Sequence, residues 1–308
     1  MTIIIDRANN KIVSQSIKMK ILPAILCLLL TLPSKAQKPA LYKQVSGEVV
    51  IIHSKVLKEE RTVYIHYPKR DTTHLDKRFP VLYLMDGESH FEMLSQYADY
   101  LSRWDVNVIP EMIVVGIVNT KRTRDLTPTE SIINYFGKPD TSTISWMKPS
   151  GGNEFFMQFI REELMPYVEA NYKTQPFRIF AGHSFGGIAA INCMLTHPDM
   201  FNAYIAISPS FWWDSEYVIR LVDKKLQKDA VFNKIFFYSD ASEGVTDSSS
   251  YHTNLLKFDT LVTNKALKGF AYKYKYYPTE SHMTEPLVAY YDALRFIYKD
   301  WKNTAAKP

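Results

Sequence analysis

Cysteine is almost missing from this chain. Among 308 residues there are two, Cys27 and Cys193. Cys27 falls in an N-terminal leader, so Cys193 stands alone in the remainder. That excludes an intrachain disulfide and a zinc site built on cysteines, and leaves Cys193 as a small apolar residue on a helix. A lasting charge excess is missing as well. The formal net charge is +5, but the leader holds Arg7, Lys11, Lys18, Lys20 and Lys35 against Asp6. Subtracting these from the 37 basic and 32 acidic residues leaves 32 against 31 after residue 36, a net of +1. A balance that even gives no electrostatic footprint for nucleic acid. The chain also lacks a permanent membrane span: its apolar run from Ile21 to Leu30 is too short to cross a bilayer. There is no internal repeat and no linker-like stretch.

The short apolar run has a different meaning. Lys20 precedes it, and Ser34 and Ala36 put small residues at the −3 and −1 positions before Gln37. A basic start, an apolar stretch and a small-residue site together predict a secretory leader over residues 1–36, cleaved after Ala36, with Met19 as an alternative start. The expectation is a secreted or periplasmic protein with a single domain over residues 37–308. A hydrophobic content of 46% against 22% charged residues is enough for a large core.

The most informative stretch is Gly182-His-Ser-Phe-Gly186. A strand-like run, Arg178–Phe180, precedes it and an apolar helix-like run, Ile188–Leu195, follows. Strand, sharp turn and helix around G-x-S-x-G is the nucleophile elbow. Gly182 and Gly186 lack a Cβ, so the strand and helix can close around a strained serine. The turn exposes the Ser184 hydroxyl and puts the Phe185 N–H at a helix start, where it can stabilise an oxyanion. His183 lies inside the turn and reads as its support, because a sequence neighbour cannot easily reach back to the Ser184 hydroxyl.

The rest of the chain supplies the frame. Val45–Ile52 and Arg61–Tyr67 predict an antiparallel hairpin. Strands follow at Phe79–Met85, Met112–Val118, Ala203–Ile207, Lys234–Tyr238 and Phe270–Tyr277. Helices are predicted over Ser89–Trp104, Asn153–Tyr172 (with Asn153 as N-cap and a kink at Pro166), Ser215–Lys228, Ser250–Leu267 and Glu285–Trp301. Between Lys121 and Gly152 runs a long polar and aromatic loop, a length that marks function in a compact domain. Strands alternating with helices predict an α/β fold: a mainly parallel sheet with an antiparallel N-terminal hairpin and helices on both faces.

Sites in such sheets gather beyond the carboxyl ends of the strands. Ser184 follows one strand. Asp240, Glu243 and Asp247 follow the Lys234–Tyr238 strand, and His282 follows the last. Serine, acid, histidine is the chain order of an α/β-hydrolase. His282 is the expected base, taking the serine proton and returning it to the leaving group. A carboxylate would orient the imidazole, with Glu243 the first choice, Asp240 the second and Asp247 the third. A second oxyanion donor is expected from the backbone of Gly87 or Glu88, after the Phe79–Met85 strand. His90, just beyond that loop, is the one other histidine near the predicted edge.

Several segments carry a more specific likeness. Leu84-Met-Asp-Gly87, Arg124-Asp-Leu-Thr-Pro128, Gly182-His-Ser-Phe-Gly-Gly187, Ser208-Pro-Ser-Phe-Trp-Trp213 and Glu280-Ser-His282 resemble the esterase family of α/β-hydrolases. That family includes siderophore esterases, S-formylglutathione hydrolases, feruloyl esterases and mycolyltransferases. The Asp-Leu-Thr-Pro and Ser-Pro-Ser-Phe-Trp-Trp pieces resemble its siderophore-esterase branch, of the enterobactin and bacillibactin type. The resemblance implies hydrolysis of a small-molecule ester without cofactor or metal, with Ser184 and His282 catalytic. It adds Trp212 and Trp213 as pocket residues, and Arg122 and Arg124 as partners for an acidic or catecholate ligand. A feruloyl or acetyl-carbohydrate esterase and an acyltransferase are the alternatives within this fold. A ligand-binding envelope protein that keeps the fold without catalysis is the alternative of another class.

Overall fold

A computed structural model describes residues 46–68, 76–142, 145–241 and 251–301, with the side chains of residues 251–253 left aside. The predicted leader and the candidate acids Glu243 and Asp247 lie outside the described residues. Eight strands form one sheet in the order β1-β2-β4-β3-β5-β6-β7-β8. β1 (Glu48–Ser54) and β2 (Glu59–His66) make the antiparallel hairpin, in a register from Glu48 opposite Ile65 to Ser54 opposite Glu59. β2 joins β4 (Ile113–Ile117) antiparallel. β3 (Phe79–Leu84), β4, β5 (Thr174–His183), β6 (Ala203–Ile207), β7 (Ile235–Ala241) and β8 (Ala271–Tyr277) are parallel to one another.

The sheet is covered on both faces, which is why its central strands read as unbroken apolar runs: every residue of β3, β4 and β6 is buried. Side-chain alternation divides each strand between two cores. Leu82, Leu84, Ile179 and Ile205 face a layer made by α1 (Gly87–Ser102) and α8 (Glu285–Ile297). Val81, Tyr83, Phe180 and Tyr204 face the opposite layer. That layer includes α3 (Asn153–Phe159), α4 (Met165–Asn171), α5 (Phe185–Thr196) and α6 (Tyr217–Lys225), with α7 (Tyr251–Asn264) beside α6.

Three details differ from the sequence reading and bear on the site. α1 begins at Gly87, two residues earlier than the apolar period indicates, so the loop after β3 is itself a helix N-terminus. β7 runs on to Ala241, which places Asp240 inside the strand end, fully buried. Asn153 is not the N-cap. Gly152 holds that position, and the Asn153 side chain donates to the Asp125 carbonyl at 2.8 Å and accepts from Asn192 at 3.0 Å. It joins α5 to α2, the short helix Arg122–Leu126 inside the long loop. The helical region also changes pitch ahead of Pro166, through a π-helical turn over Ile160–Leu164.

Phe201 closes the lower core. It stacks on Phe180 with ring centroids 4.5 Å apart and meets Tyr83 edge-on at 5.7 Å, with 1% of its surface exposed. Phe201→Ala is expected to lower unfolding stability by about 3–5 kcal/mol through lost burial and a residual cavity. Urea unfolding checks this; a loss below about 1 kcal/mol would mean that the cavity collapses.

Candidate active site

β5 ends at His183 and α5 begins at Phe185, so one residue, Ser184, makes the whole turn. Its φ of 60° and ψ of −115° put an L-residue in sparsely populated backbone. The chain can hold this because Gly182 has no side chain: a Cβ there would come within 2.5 Å of the Gly186 backbone and of the Met85 methyl. Gly186 is less constrained, since a Cβ there would sit 3.4 Å from Met85 Cβ. The Ser184 N–H donates to Ile207 O at 2.9 Å, and the Ser210 N–H donates to Ser184 O at 3.2 Å. The loop after β6 is thereby folded onto the elbow, with the Ser210 and Ser184 hydroxyls 3.1 Å apart.

The first N–H groups of a helix have no intrahelical acceptor, and the helix dipole adds positive character there. Two such ends lie side by side at this edge. Phe185 opens α5, and Gly87 with Glu88 opens α1. Gly87 lets α1 sit against β4, because a Cβ at residue 87 would fall 2.6 Å from the Gly116 carbonyl carbon. Asp86, ahead of α1, has φ 56° and a buried carboxylate. Arg122 grips it with two bonds, Nε at 2.7 Å and one terminal nitrogen at 3.0 Å, and Asn119 donates to it at 2.6 Å. The same Arg122 nitrogen donates to the His183 carbonyl at 3.3 Å, and the guanidinium carbon lies 5.4 Å from the Phe185 ring centre. One arginine therefore bridges both helix starts. Burial alone would push the Asp86 carboxyl up; the Arg122 bond and charge and the Asn119 amide more than offset it, and the group stays below the usual carboxylate range.

His282 sits in the turn between β8 and α8, half-buried, with its ring centre 4.3 Å from that of His183. His183 is 6% exposed and meets His90 edge-on at 5.8 Å. Burial, reinforced by the charges of His282 and His90, pushes the His183 imidazole down to about 3. Burial also lowers His90, against the pull of Asp86. Both rings are therefore neutral at pH 7, supporting the elbow without adding charge. Among the described residues, no three His, Cys, Asp or Glu side chains gather as a metal site.

The two tryptophans part company. Trp213 is 1% exposed, packs 5.1 Å from Phe185 and donates its indole N–H to Thr129 O at 3.1 Å. Trp212 is half-buried and faces a surface cluster, with Tyr135 and Trp146 each 6.2 Å away. Trp146 also stacks on Phe185 at 5.8 Å. Tyr135, Phe136 and Trp146 are all exposed members of the long loop. Single aromatics in a polar loop look unremarkable in sequence, and only their density marked this stretch. The second arginine, Arg124, is engaged elsewhere: both its terminal nitrogens bond Glu59 and its Nε bonds Asp125 at 2.7 Å. Arg61, buried beneath, joins the same carboxylates and ties α2 to β2.

A buried neutral histidine carries a pH signature. With its folded value near 3 and an ordinary value of 6.5, His183 contributes stability that is present above about pH 6.5 and is lost as pH falls toward 3. The wild type is expected to lose up to about 1.4 kcal/mol per pH unit more than His183→Asn in that window. Urea midpoints between pH 7 and pH 4.5 test this, and parallel curves for the two proteins would contradict it.

The chain is similar to proteins of one family. The model described as Putative esterase matches residues 54–243. The ferri-bacillibactin esterase BesA of Bacillus subtilis is 34% identical over 176 residues, 54% of this chain and 59% of that protein. The siderophore enterobactin esterase of Emericella nidulans is 33% identical over 129 residues, 39% of this chain and 40% of that protein. The chain thus spans less than two thirds of these curated relatives. The solved IroE-like serine hydrolase from Shewanella oneidensis superposes with a TM-score of 0.77 at 32% identity, covering 83% of this chain and 81% of that one. An α/β-hydrolase sheet, a G-x-S-x-G elbow at its carboxyl edge and these matches together make the chain a member of the Putative esterase family, beside its siderophore-esterase branch.

Proposed function

We propose that the protein is a secreted serine esterase working through an acyl-enzyme. Ser184 Oγ attacks the ester carbonyl as His282 takes its proton. The oxyanion is held by the Phe185 N–H and by Gly87 or Glu88. The tetrahedral adduct expels the alcohol, which leaves with the proton from His282. Water, deprotonated by His282, then releases the acid and frees Ser184. A carboxylate at or beyond the end of β7 orients His282, with Glu243 the first choice and Asp240 and Asp247 the alternatives. The observation that carries the reading is the strained serine between β5 and α5, with the His282 ring packed on the residue beside it. The leader over residues 1–36 would export the domain.

The substrate reading rests on what lies around the serine. Trp146, Trp212, Tyr135 and Phe136 form an aromatic shelf beside Phe185, and the Arg122 side chain, 36% exposed and ion-paired with Asp86, lies over the same ring. Flat aromatic acyl groups with acidic hydroxyls suit such a shelf. That agrees with relatives named as siderophore esterases, and makes a catecholate siderophore ester the leading substrate, ahead of a feruloyl or acetyl-sugar ester.

Ser184→Ala is expected to cut turnover of a nitrophenyl ester by on the order of 10⁴–10⁶-fold and to abolish fluorophosphonate labelling. Unchanged turnover would end the proposal, and ligand binding without labelling in the wild type would favour a non-catalytic binding protein. Trp146→Ala is expected to raise KM for a dihydroxybenzoyl ester by roughly 3–10-fold relative to an acetyl ester, the scale of one lost aromatic contact. Equal changes for both esters would remove the shelf from recognition.

A further inference from the structure

Glu285 takes no part in the mechanism above, yet it is a fully buried carboxylate three residues beyond the proposed base. As the first residue of α8 it sits where a helix favours negative charge. Its backbone N–H donates to Ser281 O at 2.9 Å, closing the turn that carries His282. Inside that turn the Ser281 N–H donates to Thr284 Oγ1 at 2.9 Å and the Thr284 N–H to Ser281 O at 3.1 Å. Its side chain reaches the sheet. Ser239 Oγ, near the end of β7, donates to Oε1 at 2.5 Å, and Ser208 Oγ, just past β6, donates to Oε2. Ser208 has φ 39°, its N–H donates to Ser239 O at 3.0 Å, and it lies two residues before Ser210, whose hydroxyl is 3.1 Å from that of Ser184.

One carboxylate thus joins three segments: the end of β6 that packs on the nucleophile, the end of β7, and the turn that carries the imidazole. We propose that Glu285 is a positioning residue for the reaction, setting where His282 stands relative to Ser184; this rests on the esterase reading given above. Burying a carboxylate is costly even when it is hydrogen-bonded, and an apolar side chain would fill the same space at less cost. What an apolar residue cannot supply is two directed acceptor atoms at a fixed separation. Proton transfer between serine and imidazole needs that kind of registration, since a misplacement of about 1 Å costs on the order of 10²-fold in rate. Tying the histidine turn to the strand ends makes the base and the nucleophile parts of one rigid unit.

The test compares wild type, Glu285→Gln, Glu285→Asp and Ser239→Ala on the ester that Ser184 turns over. Ser239→Ala keeps the carboxylate and removes one of its two hydroxyl anchors. Glu285→Gln is expected to lower kcat by about 10–100-fold with KM changed less than about threefold, and to slow fluorophosphonate labelling of Ser184 in parallel. Glu285→Asp is expected to recover part of the loss, and Ser239→Ala to lose about 3–30-fold in kcat with a thermal midpoint close to that of wild type. Wild-type kcat and labelling rate in Glu285→Gln would overturn the proposal. If that variant does not fold, wild-type kcat in Ser239→Ala would assign Glu285 to stability alone and overturn it equally. A wild type that turns over no ester and takes no label would remove the esterase reading itself, a different failure from an active wild type whose Glu285 variants are unimpaired.

Discussion

A serine side chain held in backbone it does not favour is the constraint from which the rest of this edge follows. At φ 60° Ser184 stores on the order of 1–3 kcal/mol of strain, and it persists because its surroundings leave no other conformation. The missing Cβ at residue 182 lets β5 and α5 meet, the Ile207 carbonyl fixes the serine N–H, and the 208–213 loop covers it. Two helix starts meet there, which concentrates N–H groups without intrahelical acceptors at this edge. Arg122 and Asp86 keep those starts in register.

The chemistry around the turn is divided by solvation. The imidazoles of His183 and His90 are held neutral by burial, so neither adds charge at the elbow. His282, by contrast, is only half-buried in its turn, with its ring packed on that of His183. The Trp212-Trp213 pair shows the same division one residue apart. Trp213 buries its ring and satisfies its N–H on Thr129, whereas Trp212 turns toward the exposed rings of the long loop. The buried and exposed aromatic surfaces meet at Phe185, which touches both tryptophans and lies beneath Arg122.

Much of the frame could be read along the chain. β3, β4 and β6 are continuous apolar runs because they are buried on both faces, and the hairpin was legible from its polar connector. The errors were local and had local causes. Asn153 resembles an N-cap, but its amide is drawn inward to Asp125 and Asn192. α1 begins at Gly87 because Asp86 takes a left-handed conformation that arginine and asparagine partners stabilise, which no periodicity reports. Arg122 and Arg124 look equivalent in sequence, yet one bridges the two helix starts and the other pairs with Glu59 and Asp125. Glu285 was indistinguishable from any acid at a helix start until Ser208 and Ser239 were seen to converge on it.

The chain by itself determined the strand–turn–helix around Ser184, the placement of Ser184 and His282 just beyond their strands, and the family likeness. These are properties of short segments, where spacing and side-chain size act over a few residues. Only the tertiary structure decided which charges pair, which aromatic rings stay exposed, and how the His282 turn is tied down. Those depend on side chains distant in sequence meeting across the ends of a parallel sheet, and on how far burial removes each from water.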